Sequence, residues 1–134
     1  MAGFDWNEFY IHFETKMKKA YPKCKVGRYV TPKKTDFPYV DVALVDNSGG
    51  NYDLSGNEGS QKPLIAISVY STGGMADGTC CEISNKAKEI MISYGFQCRG
   101  GPMPTANATD PNISRWVGRY QRIFGSGDTL MKLN

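Results

Sequence analysis

No apolar run in this sequence approaches the roughly 20 residues that a membrane-crossing helix needs. The first ten residues, MAGFDWNEFY, carry Asp5 and Glu8 and lack the basic start and apolar core of an export signal. These two absences predict a soluble chain that works, or is assembled, in a cytoplasm. Histidine is nearly missing: His12 is the only one, and the four cysteines, Cys24, Cys80, Cys81 and Cys98, form no C-x-x-C pair. A metal centre needs several such ligands at coordinating spacings, so neither a metal nor another cofactor is expected. With no secretory marker, the cysteines read as reduced thiols rather than as a disulfide framework. Gly73-Gly74 and Gly100-Gly101 lack the lysine and hydroxyl residue of a phosphate-binding loop and the spacing of a dinucleotide fingerprint, so both pairs read as turns. The formal charge of +3 is too small for the basic stripe of a dedicated nucleic-acid binder.

What is present is ordinary globular material. A chain of 134 residues, 40% hydrophobic, makes one domain that buries roughly two-thirds of its unfolded surface. Residues 1–134 are therefore read as a single unit. Its clearest stretch runs from Lys62 to Phe96. Ile65, Ile67 and Val69 alternate with Leu64, Ala66, Ser68 and Tyr70, which suits a central strand covered on both sides. Ser71-Thr72-Gly73-Gly74 stops that strand. Thr79 and Glu82 then have the spacing of a capping box, and Ile83, Ala87, Ile90, Met91 and Tyr94 recur on one helical face up to Gly95.

Before this stretch, Trp6, Phe9, Tyr10, Phe13 and Met17 predict an amphipathic helix over 5–20, with acidic residues at its start and lysines at its end, as the helix dipole prefers. Lys25 to Val30 and Pro38 to Asp46 read as strands, joined by turn residues. The segment 47–61, NSGGNYDLSGNEGSQ, has almost nothing to bury and reads as a long mobile loop of the kind that contacts partners. After the second helix, Phe96 to Arg99 reads as a strand, Gly100 to Pro111 as a second long loop, and Ile113 to Phe124 as the last strand. The tail 125–134 is expected either disordered or docked on a neighbour. The order α-β-β-β-α-β-β predicts an α+β fold: an antiparallel or mixed sheet of four to five strands with two helices packed on it.

Three features could carry chemistry. Cys80 and Cys81 fall in the predicted first turn of the second helix, where a thiol pKa is lowered. No base can be traced for them, so packing is the preferred reading. His12 sits between Glu8 and Lys16 on its helix and reads as a partly exposed surface residue. Arg115, Arg119 and Arg122, with Trp116 and Tyr120 interleaved, could contact phosphates and bases, or could belong to an interface.

The order of DFPYV, IAISVYST, KEIMISYGF and ISRWVGRYQRIF resembles the tail-terminator, or tail-completion, proteins of tailed bacteriophages and phage-like particles. The residues that carry the resemblance are Val69-Tyr70-Ser71, Met91 with Tyr94-Gly95-Phe96, and Arg119-Tyr120 with Arg122, within residues 5 to 124. The resemblance implies a non-enzymatic virion protein at the head–tail interface. It would form a ring with copies of itself, usually a homohexamer, that caps the tail-tube protein, stops tube growth and meets the head connector (stopper) protein. In a contractile tail it could also meet the sheath terminus, and DNA would pass through its lumen without specific binding. A stopper or adaptor ring is the near alternative, and a nucleic-acid-binding module the more distant one. Candidate interface residues are Asn51, Tyr52, Asp53 and Leu54 in the loop, with Arg115, Arg119 and Arg122 in the last strand.

Overall fold

The computed structural model describes residues 4–29, 37–50, 60–106, 112–125 and 128–130. The first helix, α1, spans Trp6–Ala20. It begins where Asp5, in extended backbone, accepts the Glu8 N–H at 3.1 Å, and so satisfies one of the free amides of the first turn. Phe9, Phe13 and Met17, four residues apart, are its fully buried stripe. Trp6 and Tyr10, expected on the same face, flank that stripe and are only half-buried. At the other end the Tyr21 N–H closes on the Met17 carbonyl at 2.8 Å, just before Pro22.

Among the described residues six strands follow: β1 (Lys25–Arg28), β2 (Tyr39–Gly50), β3 (Ser60–Thr72), β4 (Gln97–Pro104), β5 (Ile113–Gln121) and β6 (Phe124–Gly125), with α2 (Ala76–Ser93) between β3 and β4. They form one mixed sheet in the order β1-β2-β3-β5-β4, with β6 beside the start of β3. All pairs are antiparallel except β1 with β2, which is parallel. The α+β class with two helices on a mixed sheet is as expected, while the count is six, because a two-residue strand follows a break in the last long one. That break corrects the reading of a continuous strand to Phe124: β5 ends at Gln121, and Arg122 and Ile123 turn the chain.

Register shows which residues share a face. Val40↔Val69, Val42↔Ile67 and Ile65↔Tyr120 are directly opposed, and all six are buried. Onto this face pack Phe9, Phe13 and Met17 of α1 and Cys80, Ile83, Ala87, Ile90 and Met91 of α2, as one core. The helices run antiparallel, since His12 meets Tyr94 while the Tyr21 hydroxyl lies 3.5 Å from the Glu82 carbonyl. Both therefore lie on one side of the sheet. On the other side Leu64, Ala66 and Tyr70 are half-buried, and no described helix or strand covers them.

Three boundaries move. The segment 47–61 is not one loop: β2 runs to Gly50 and β3 starts at Ser60, with Asn47↔Pro63 and Gly50↔Ser60 in register, so a hairpin arm continues past the sheet body. Asn51, Tyr52, Asp53 and Leu54 lie outside the described residues. Gly100 to Pro104, also read as loop, belongs to β4, which pairs irregularly with β5 around Gly100. The tail docks on its own chain as far as it is described: β6 pairs with β3, Asp128 accepts the Gly125 N–H at 2.8 Å, and Leu130 is buried.

The second helix starts one turn earlier than Thr79 suggests. Its N-cap is Met75, with no side-chain cap, and the Thr79 N–H already donates to the Met75 carbonyl at 3.0 Å. Glu82, freed from any capping role, faces the Tyr21 hydroxyl at 3.4 Å. Gly95, at φ +82°, ends the helix in the left-handed conformation that glycine tolerates.

Candidate functional site

Successive side chains of a strand point to opposite faces, so one register places the second face as well. Tyr39↔Tyr70↔Arg115 form a row across β2, β3 and β5; Asp41↔Ser68↔Val117 form the next, and Ala43↔Ala66↔Arg119 the third. Arg115 and Arg119 thus stand on the face that no described helix covers. Arg119 is exposed; Arg115 is half-buried, with its guanidinium 5.7 Å from the Tyr70 ring centre. Tyr39 is almost fully enclosed here because β1 offers Gly27 beneath its phenol, where any Cβ would collide with it.

Arg122 corrects the expectation. It is 4% exposed, and its guanidinium donates from Nη1 to the Tyr94 carbonyl at 2.7 Å and the Leu130 carbonyl at 2.8 Å, and from Nη2 to the Thr129 carbonyl at 2.7 Å. The Phe124 ring lies 3.8 Å from its carbon. Tyr94 caps α2, so the cation sits at the negative end of that helix and ties the tail segment to it. Burial lowers its pKa, and the nearby Asp128 partly restores it. It is an internal clamp and not part of a surface triad. Alternation from Ile113 onward puts Arg122 on the side of Tyr120 and Phe124, both buried, and opposite Arg115 and Arg119, so its grouping with those two followed residue type and not strand periodicity.

The sheet edge beside β1 has its own closure. β1 pairs with β2 only as far as Arg28↔Val42, and then the Tyr29 hydroxyl accepts the Leu44 N–H at 3.0 Å and reaches the Leu44 carbonyl at 3.4 Å. A side chain replaces the next ladder residue there. Arg28 lies 4.3 Å from the Tyr10 ring centre and donates to Asn7 at 2.9 Å. Sequence reading missed both contacts, since neither follows a local spacing.

Burial keeps Cys80 and Cys24 from ionising readily. Because α2 starts at Ala76, Cys80 and Cys81 lie in its second turn, away from the free amides. Cys80 is fully buried, with its sulfur 3.5 Å from the Val69 and Ser114 carbonyls. Burial first, and Asp77 second, push its pKa up to about 12, while a hydrogen bond from the Ser71 backbone pulls it down. Burial likewise pushes Cys24 up to about 11. His12, at the far end of α2, packs on Tyr94, roughly 20 Å along the helix from Cys80. In the native protein, alkylation is expected to reach Cys81 and Cys98 well before Cys24 and Cys80; labelling of Cys80 at the rate of free cysteine would contradict this burial. The sign with pH follows: the unfolded Cys80 thiol ionises from about 9 and the folded one only near 12. The stability from this neutral burial is complete below about pH 9 and is lost as pH rises towards 12.

Two clefts flank these elements. One, of about 420 Å³, lies where β4 ends and β5 and α2 begin, lined by Asp77, Pro104, Thr105, Ala106, Ile113, Ser114 and Arg115. The other, of about 390 Å³, lies under the turn after α1, between Tyr21, Pro22, Cys24 and Ile83. Among the described residues no group of three or more His, Cys, Asp or Glu could hold a metal ion, and no helix is long and apolar enough to cross a membrane. No family model and no curated protein matches this chain.

Proposed function

We propose that this chain is a structural subunit of a virion ring, a tail terminator that assembles with copies of itself, usually six, on the end of a tail tube, stops its growth and joins it to the head connector. The observation that carries the reading is the asymmetry of the sheet. One edge is the short β1 with the β2–β3 arm running past it, and the other is β4, so each subunit offers two unlike lateral surfaces. Closed rings need such heterologous, head-to-tail contacts. Past Leu44, whose backbone groups the Tyr29 hydroxyl takes, no described strand lies on the outer side of β2, which leaves backbone for a neighbour. The resemblance in the order of VYS, the helix ending in YGF and the RYQR strand points the same way.

Loss of Arg122 from the surface set reduces the arginine strand to Arg115 and Arg119, which weakens the nucleic-acid alternative and takes one candidate interface residue from the ring reading too. Light scattering and particle images of the purified chain, alone and with tail tubes, test the proposal. The expected result is a ring-sized mass or rings seated on tube ends; a strict monomer that ignores tubes would sink it. Deleting the gene in a producer cell is expected to give tubes of uncontrolled length. Tubes of normal length detached from full heads would instead assign the chain to a stopper or adaptor ring.

A further inference from the structure

We propose that the groove between α1 and α2 receives the acidic β2–β3 arm of a second copy of this chain. The groove, of about 410 Å³, has Lys16 and Lys19 of α1 on one rim and Lys86 of α2 on the other, with Ala20 and Ile90 between them. Lys86 is matched by Glu89, with Nζ and Oε1 3.2 Å apart. Lys16 and Lys19 are exposed and pair with no carboxylate among the described residues, and the Lys16 ammonium stands 4.6 Å from the Tyr94 ring centre. From Thr15 to Lys25 the sequence holds five lysines and no acidic residue, more positive charge than the end of one helix dipole calls for. Residues 46–61 have the opposite sign, with Asp46, Asp53 and Glu58 and no lysine or arginine. Tyr52 and Leu54, which lie among those carboxylates in the sequence, suit the apolar floor of Ala20 and Ile90.

The fold makes this contact intermolecular. The Trp6 ring centre, at the start of α1, lies 6.0 Å from that of Tyr29, whose hydroxyl bonds Leu44 close to where the arm leaves the sheet body. Lys25, just past the end of α1, pairs with Tyr39 at the other end of β2. Helix α1 therefore runs away from the arm, and Lys16 and Lys19 lie about 15–20 Å along it from Trp6. A subunit's arm points away from its own groove. Arm and groove are unlike surfaces at opposite ends of one chain, so their contact is head-to-tail, and its repetition closes a ring or extends a filament. The contact rests on the self-assembly proposed above and adds which surfaces meet. Opposite charge on the two also disfavours arm-to-arm and groove-to-groove encounters.

Two full-length variants provide the test: Lys16→Glu with Lys19→Glu reverses the groove, and Asp53→Lys with Glu58→Lys reverses the arm. In sedimentation velocity each variant alone is expected to associate about tenfold more weakly than the unmodified chain. An equal mixture of the two should regain the association, because every arm then finds a groove of opposite sign. Carbodiimide coupling of the unmodified chain, mixed from light and heavy-isotope protein, should join Lys16 or Lys19 of one copy to Asp46, Asp53 or Glu58 of another, which decides the matter even if a variant does not fold. A groove variant that associates as tightly as the unmodified chain overturns the proposal, as does a mixture that stays dissociated or coupling confined to other residues; the ring reading then stands on other surfaces. Open dimers that the same variants weaken keep the contact and drop the ring. An unmodified chain that is monomeric at every concentration overturns both.

Discussion

Arg122→Ala is expected to destabilise the protein by about 3–5 kcal/mol, lowering the thermal midpoint by roughly 10 to 20 °C. The guanidinium serves three backbone carbonyls, of Tyr94, Thr129 and Leu130, at 2.7 to 2.8 Å from an almost fully buried position. Charge-assisted bonds of that length contribute about 1.5–3 kcal/mol each, and their loss strands acceptors that water reaches poorly. Arg122→Lys should recover only part of the loss, because one ammonium cannot fork towards both the end of α2 and the tail segment. Urea unfolding measures the difference. Hydrogen exchange adds a local readout, in which the amides of Asp128 and Leu130 should lose protection first. A midpoint for Arg122→Ala within about 0.5 kcal/mol of the unmodified protein would show that the clamp contributes nothing.

Phe9→Ala should cost a similar amount, about 3–5 kcal/mol, through a different cause. Phe9 is fully buried, with its ring centre 6.0 Å from that of Phe4, 5.9 Å from Trp6 and Phe13, 6.4 Å from Tyr94 and 5.6 Å from Phe96. Truncation removes the ring from contact with all five and leaves a cavity that rigid neighbours cannot close. Phe9→Leu should cost less, since it refills most of the volume. Ile11→Ala, two residues along on the exposed side of α1, should stay within about 0.5 kcal/mol. Equal losses at positions 9 and 11 would contradict the assignment of the buried face.

Much of the fold was legible because its signals are local. The alternation Ile65, Ile67, Val69 and the four-residue spacing of Phe9, Phe13 and Met17 report which side of each element meets the core, and every one of these side chains is buried. Asp5 reads from sequence as an acidic residue at the helix start, and the structure makes it the cap itself, through its bond to the Glu8 N–H. Boundaries were less legible. Thr79 and Glu82 have capping-box spacing, yet the extra turn from Ala76 buries Ala76 itself and carries Asp77 to the Trp116 indole, a long-range gain that outweighs a missing cap. The segments 47–50 and 60–61 read as loop because Asn, Ser, Gly and Gln show no apolar alternation, but ladder hydrogen bonds need only backbone, and each strand of the arm is held by the other.

The candidate site divides along the same line. That Arg115 and Arg119 share a strand face follows from their spacing, since any strand through them puts them on one side. That this face lacks a helix, that Tyr39 and Tyr70 continue the row beside Arg115, and that Arg122 turns inward are outcomes of pairing and packing. Sequence alone determined the order of the longer elements and the buried stripes, because periodicity and composition are properties of neighbouring residues. Tertiary structure alone decided which sheet face the described helices leave open, the position of Arg115 beside Ser68 and Tyr70, and the clamp at Arg122. Each of these depends on partners beyond the reach of a local spacing, brought together only by burial and strand register.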